Sequence, residues 1–238
     1  MELKNINIEI YYHKSHQENV DNLIRNAVRT LHYCEQNFGP YRYKTLRFAE
    51  VSSFTDGFAG TAYPATIFMT EQLIFHNNLL ADRNQDVINE LAAHEVSHQW
   101  WGNAILAPDE REGSKVLTET LAMYTELMLA ERYLGADAVH SKVSMHEQIY
   151  HNERGFSREV PLYLSRPEDT YLYYSKGLVA MWKLKQLIGE KRINKALRSL
   201  LKKHVYPAPP PISSDLLFEL HQVTHSSYHR KIDSLFGR

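Results

Sequence analysis

The chain changes its hydropathy period once, and that change limits the folds open to it. Before about residue 70 the apolar residues mostly alternate. INIEIYYH (6–13) puts Ile6, Ile8, Ile10 and Tyr12 on one face, and TLRFAEVS (45–52) and ATIFMT (65–70) read as further strands. Between the first two strands, residues 17–37 carry Val20, Leu23, Ile24, Ala27, Val28 and Leu31 at helical spacing, stopped by FGP at 38–40. The Gly-rich stretch TDGFAGTAYP (55–64) reads as a turn between the last two strands. From about residue 86 the period is helical, with helices expected over 86–101, 114–134, 136–151, 169–188, 190–204, 213–224 and 228–236. A small sheet with one helix, followed by a mostly α-helical half, is an α+β arrangement and not an alternating βαβ one.

YPAPPPIS (206–213) is the one proline-rich break, and too few residues follow it to build a core of their own. Residues 1–238 therefore read as a single domain whose last two helices dock back onto it. Hydrophobic residues make up 43% of the chain, so it can fill a full core. A formal net charge of −1 argues against nucleic acid as a partner. The single cysteine, Cys34, leaves stability to packing. No run of 18 apolar residues occurs, so this segment does not insert into a membrane, and the alternating N-terminus lacks the apolar block of a signal peptide. These features leave the compartment open.

HEVSHQWWGN (94–103) lies at the end of the helix expected over 86–101. Four residues advance about 6 Å and slightly more than one turn, so His94 and His98 project from one face and can meet one metal ion. Glu95 stands beside His94, placed to take a proton from a water activated by that ion. A solvated face rich in His would look similar, but Val87, Leu91, Ala92, Trp100 and Trp101 frame these polar residues with apolar ones. A half-buried helix does not carry unpaired polar groups without cost. A catalytic zinc also needs a third protein ligand. In SKVLTETLAMYTELMLAERYL (114–134), Glu119 lies between Leu117 and Leu121, where a carboxylate can face the first helix. Glu126, seven residues on, suits either an acceptor for a ligand histidine's free N–H or an exposed helix charge.

HEVSHQWWGN, LTETLAMYTE and YYSKGLVAMWKLKQLIG resemble, in order, three blocks of the gluzincin aminopeptidases of family M1. Nearly the whole chain is similar to that family's thermolysin-like zincin catalytic domain. The resemblance implies one zinc ion held by His94, His98 and Glu119, with Glu95 as general base and a peptide as substrate. It also implies Tyr174 as the phenol that hydrogen-bonds the oxyanion. Tyr171, Tyr173 and Tyr174 otherwise read alike, as half-buried packing residues. Only the position before Ser175, Lys176 and Gly177 selects Tyr174.

The sequence departs from the family pattern in three places. Twenty residues, Gln99 to Thr118, separate His98 from Glu119, slightly more than the family spacing. The surplus falls in APDEREGSK, where Glu110 and Glu112 lie outside any helical motif. The usual Asn-Glu-Gly reads Thr118-Glu119-Thr120. In AGTAYPATIFM (59–69), Ala62 stands where the family carries the glutamate that binds a substrate's free amine, and the next carboxylate is Glu71. That loss keeps a second reading open, a zinc-holding, non-catalytic peptide-recognition or regulatory domain. The flanking domains of full-length members are also absent, so a fragment of a longer protein is expected. Some members are fused to membrane permease-like segments, so a membrane-anchored parent is among the possibilities.

Overall fold

The structure, a computed structural model, describes residues 6–52, 59–75, 87–102, 105–156 and 159–237. Strand β1 (Asn7–Tyr11) pairs in parallel with β2 (Thr45–Val51), the two joined through helix α1 (Val20–Asn37). The hairpin of β3 (Gly60–Tyr63) and β4 (Thr66–Thr70) completes a four-stranded sheet of order β1-β2-β4-β3. β4 runs parallel to β2, and β3 antiparallel to β4 with Ala62 opposite Ile67. Alternation decides which face is covered: Leu46, Phe48, Ile67 and Met69 are fully buried and join the same core as Leu23, Ala27 and Leu31 of α1.

The helical half contains α2 (Val87–Ser97), α3 (Leu121–Tyr133), α4 (Ala136–Glu153), α5 (Gly177–Ile188), α6 (Glu190–Lys203), α7 (Ser213–Gln222) and α8 (His229–Phe236). Every residue of α3 from Leu121 to Ala130 is buried, because α2, α4 and α5 all pack around it. The proline-rich break does not interrupt this core. Leu216 and Leu220 of α7 and Ile232 and Phe236 of α8 all belong to it.

Three expectations need correction. The Gly-rich stretch is not only a turn: residues 60–63 form β3, and the turn is the pair Pro64–Ala65, with Ala65 in the left-handed region at φ 61°. A four-residue strand that opens on Gly60 has too short a pattern to be seen by alternation. Residues 55–58 of that stretch lie outside the described residues. The helix expected to reach residue 101 ends at Ser97, and residues 98–100 form a tighter turn in which Trp100 N–H bonds Ser97 C=O at 2.8 Å. Both indoles pull this turn inward, Trp100 Nε1 donating to Gly39 C=O at 2.9 Å and Trp101 Nε1 to Thr125 Oγ1 at 3.1 Å. The helices expected from 114 and 169 instead enter through wider π-helical turns at Val116–Thr120 and Tyr171–Lys176.

Candidate metal centre

Four elements meet at the site: the end of α2, the two π-helical turns and strand β3. The end of α2 supplies His94 and Glu95, and the turn after it supplies His98. His98 Nδ1 lies 2.8 Å from Trp101 C=O and donates to it, leaving Nε2 as the free lone pair. The buried tryptophan turn thus sets the histidine's tautomer. Gly102 follows at φ 122°, a left-handed conformation that favours glycine.

The turn Val116–Thr120 supplies Glu119. Its Oε2 is 3.3 Å from His94 Nε2 and 3.5 Å from His98 Nε2. A tetrahedral ion with bonds near 2.0–2.1 Å needs ligand atoms about 3.3 Å apart, so this His-His-Glu set fits zinc in spacing and in chemistry. The alternative carboxylates stand elsewhere: Glu112 is exposed and faces Arg166 at 3.5 Å, and Glu110 is exposed.

The turn Tyr171–Lys176 supplies Tyr174, whose hydroxyl donates to Glu119 Oε2 at 2.9 Å. Gly177 allows this approach, since a Cβ there would overlap Thr120 Oγ1 and lie 2.8 Å from its Cγ2. Thr120 Oγ1 in turn donates to Tyr173 C=O at 2.5 Å, tying the two π-helical turns together. Burial and then the Glu119 charge push the Tyr174 phenol well above its ordinary pKa, so it remains protonated and a donor.

Behind His94 lies Glu126 of α3, which is buried, with Oε2 3.5 Å from His94 Nδ1. Its other oxygen meets the buried Lys142 ammonium of α4 at 2.5 Å, and Lys142 also reaches Glu90 at 3.1 Å. Burial opposes the Glu126 charge, but Lys142 and His94 outweigh it and bring the carboxyl down to about 2. Burial likewise opposes a charged His94, yet Glu119 and Glu126 on its two sides raise it to about 10. Glu95 behaves oppositely: desolvation raises its pKa against the pull of His94 and His98. Its carboxylate lies against β3, where a Cβ on Gly60 would sit 3.2 Å from Glu95 Oε1.

His94, Glu95, His98, Glu119 and Tyr174 line a cavity of about 300 Å³, together with Gly60, Thr61 and Ala62 of β3. Among the described residues lining it, the carboxylates are Glu95 and Glu119. Glu71 does not replace the group missing at Ala62; it lies with His16 and Glu50 in a different cavity. Sequence reasoning missed Lys142, Lys115 and Gln99. Gln99 holds the hairpin to the end of α2, accepting from Ala65 N–H at 2.8 Å and donating to Tyr63 C=O at 2.9 Å. None of the three carries a sequence signal, because each looks like an ordinary polar residue on a helix or in a turn.

The profile of the peptidase family M1 domain matches residues 23–237. The chain belongs to peptidase family M1. This M1 domain is 23% identical to Aminopeptidase M1-D and 24% identical to Aminopeptidase M1-B, both of Oryza sativa subsp. japonica. Each likeness runs over 76% of the chain but only 21% of the rice protein, so the chain spans about a fifth of those relatives. Solved structures share the fold. A two-domain M1 zinc metallopeptidase mutant bound to L-tryptophan gives a TM-score of 0.65 at 19% identity, over 89% of this chain and 43% of that one. A mutant of the M1 zinc metallopeptidase from Deinococcus radiodurans bound to a Tyr-Ser-Ala substrate gives 0.64 at 20%, over 88% and 43%. The α+β architecture, the sheet followed by the helical region, is that of the M1 catalytic domain, and zinc is the metal the family implies. No described helix is long and apolar enough to cross a membrane.

Proposed function

We propose that residues 1–238 form one M1 catalytic domain that hydrolyses peptide bonds with a single zinc ion held by His94, His98 and Glu119. The observation that carries this reading is the meeting of two imidazole Nε2 atoms on one carboxylate oxygen, 3.3 and 3.5 Å away. When bound there, zinc polarises the scissile carbonyl and makes the attacking water more acidic. Glu95 accepts that water's proton as the oxygen adds to the carbonyl carbon, and its raised pKa makes it the stronger base for the task. It then returns the proton to the leaving amine as the C–N bond breaks. Tyr174 keeps its proton and donates a hydrogen bond to the oxyanion that forms between these steps. Glu126, buried with Lys142, fixes the His94 ring from behind.

Aminopeptidase is the activity in the rice relatives' names, and Ala62, standing where the amine-binding glutamate is expected, removes the usual anchor for that activity here. Ala62 favours a second reading, a domain that holds zinc and recognises peptides without cutting them. The burial of Glu95 within the same cavity as Tyr174 supports catalysis instead.

The test separates base from ligand. Glu95→Gln should bind zinc as the parent does and lose turnover by at least a hundredfold, the usual contribution of a general base. His98→Ala should lose the zinc itself, measured by metal analysis after dialysis. A Glu95→Gln protein that turned over at the parental rate would sink the mechanism.

A further inference from the structure

Once the ligand set holds its divalent ion, the charges of the described residues facing the cavity suit an anion. Among the described lining residues, the formally charged side chains besides the histidines are Glu95, Glu119 and Lys115. Glu119 turns Oε2 to the two imidazoles and to Tyr174. Its Oε1 faces Thr118 Oγ1 at 3.5 Å and the Lys115 ammonium at 3.7 Å. The Lys115 side chain is 38% exposed, so its ammonium keeps access to solvent and to anything entering the cavity. β3 contributes no charge from Thr61 or Ala62.

With one divalent ion held, the carboxylates of Glu95 and Glu119 balance it, and the described lining residues keep one net positive charge, that of Lys115, whose ammonium shares Glu119 Oε1 at 3.7 Å. Among the described lining residues, a free peptide ammonium entering this cavity would meet one like charge, Lys115, and no carboxylate beyond the two that balance the ion. A peptide carboxylate would meet a partner. Like charges at such range cost binding free energy and opposite charges supply it, more strongly inside a cleft than on an open surface.

We propose that Lys115 determines specificity, selecting peptides that present a carboxylate close to the scissile bond over peptides that present a free α-ammonium there. This rests on the zinc-peptidase reading above. The carboxylate can belong to an acidic side chain or to the peptide's own C-terminus, and the two are chemically alike to Lys115.

The experiment uses zinc-loaded protein and four short fluorogenic peptides. These are a neutral peptide with a free N-terminus, the same peptide acetylated and amidated, an acetylated and amidated peptide with glutamate beside the cut bond, and an acetylated neutral peptide with a free C-terminus. One or both of the last two should be cleaved best, and which one identifies the source of the carboxylate. Lys115→Met should raise KM for the preferred peptide about fivefold with kcat little changed, while Lys115→Arg keeps the preference and Lys115→Glu reverses it. Binding supplies a readout independent of turnover. The preferred peptide should bind Glu95→Gln protein measurably by calorimetry, weaken as salt rises, and lose that salt dependence in Glu95→Gln/Lys115→Met. An unchanged preference in Lys115→Met, or best cleavage of the neutral peptide with a free N-terminus, overturns the assignment. Failure of the hydrolase reading looks different: no peptide is cut, and the calorimetry alone then decides the role of Lys115.

Discussion

Gly177→Ala sets two opposing effects against each other. Gly177 has an ordinary helical backbone at φ −59°, so alanine should help by helix propensity, about 1 kcal/mol. Against this, the new Cβ would overlap Thr120 Oγ1 and approach its Cγ2 to 2.8 Å. Thr120 is fully buried and its hydroxyl is engaged with Tyr173 C=O, so it has no empty space to turn into. Overpacking of this kind costs about 1–3 kcal/mol, and breaking the threonine's hydrogen bond adds about 1 kcal/mol. The clash outweighs the propensity, giving a net loss of about 1–3 kcal/mol. Urea unfolding of the zinc-loaded protein measures it. The companion Thr120→Ala removes the overlapping atoms and should itself lose about 1–2 kcal/mol. The double variant should then be more stable than the two losses predict, by at least about 1 kcal/mol. Because the same contact holds the turn carrying Tyr174 against Glu119, turnover should fall in Gly177→Ala and partly recover in the double variant. A Gly177→Ala protein as stable as the parent, or two losses that simply add, would refute this account.

Two other perturbations act behind the site. Lys142→Met leaves the Glu126 carboxylate buried without its cation and should destabilise by about 3–5 kcal/mol in chemical denaturation, with much of that recovered by adding Glu126→Gln. The absence of recovery would show that the loss lies elsewhere. His146 of α4, facing Ser175, Lys142 and Glu126, is lowered from 6.5 to about 4, first by burial and then by Lys142, against an opposing pull from Glu126. Its folded-state pKa lies below its unfolded one, so its contribution is full above pH 6.5 and is lost as pH falls from 6.5 toward 4, about 3 kcal/mol in all. His146→Asn should lack that part of the acid slope, and parallel pH–stability curves for variant and parent would count against it.

The sequence made the architecture and the candidate ligands legible for different reasons. The helices were visible because their apolar residues repeat over three or more turns, and α7 and α8 docked where Leu216, Leu220, Ile232 and Phe236 required. His94, Glu95 and His98 announce themselves by spacing, and Glu119 by its place among leucines. Tyr174 could not be chosen from Tyr171 and Tyr173 without the family pattern. Strand β3 was hidden because four residues, two of them Gly60 and Ala62, carry almost no alternation. Lys142 and Gln99 were hidden because their roles depend on tertiary neighbours, Glu90 and Glu126 for one and the hairpin turn for the other. The end of α2 came early because two buried indoles bind partners from α3 and from the loop after α1, which no local propensity encodes.

Glu119 and Tyr174 each sit in a π-helical turn immediately ahead of a regular helix. A π-helical turn amounts to one residue more than an α-helix would use over the same length. Shortening either turn by a single residue would convert it to ordinary helix and rotate the functional side chain by about 100° about the helix axis, while the core-facing residues of α3 or α5 kept their positions. The chemistry and the packing are therefore separately editable along one continuous helix. Single-residue deletions within 116–120 or 171–176 are a route to proteins that fold on this scaffold with the centre dismantled, and relatives lacking one residue there can be recognised as such from their sequences alone.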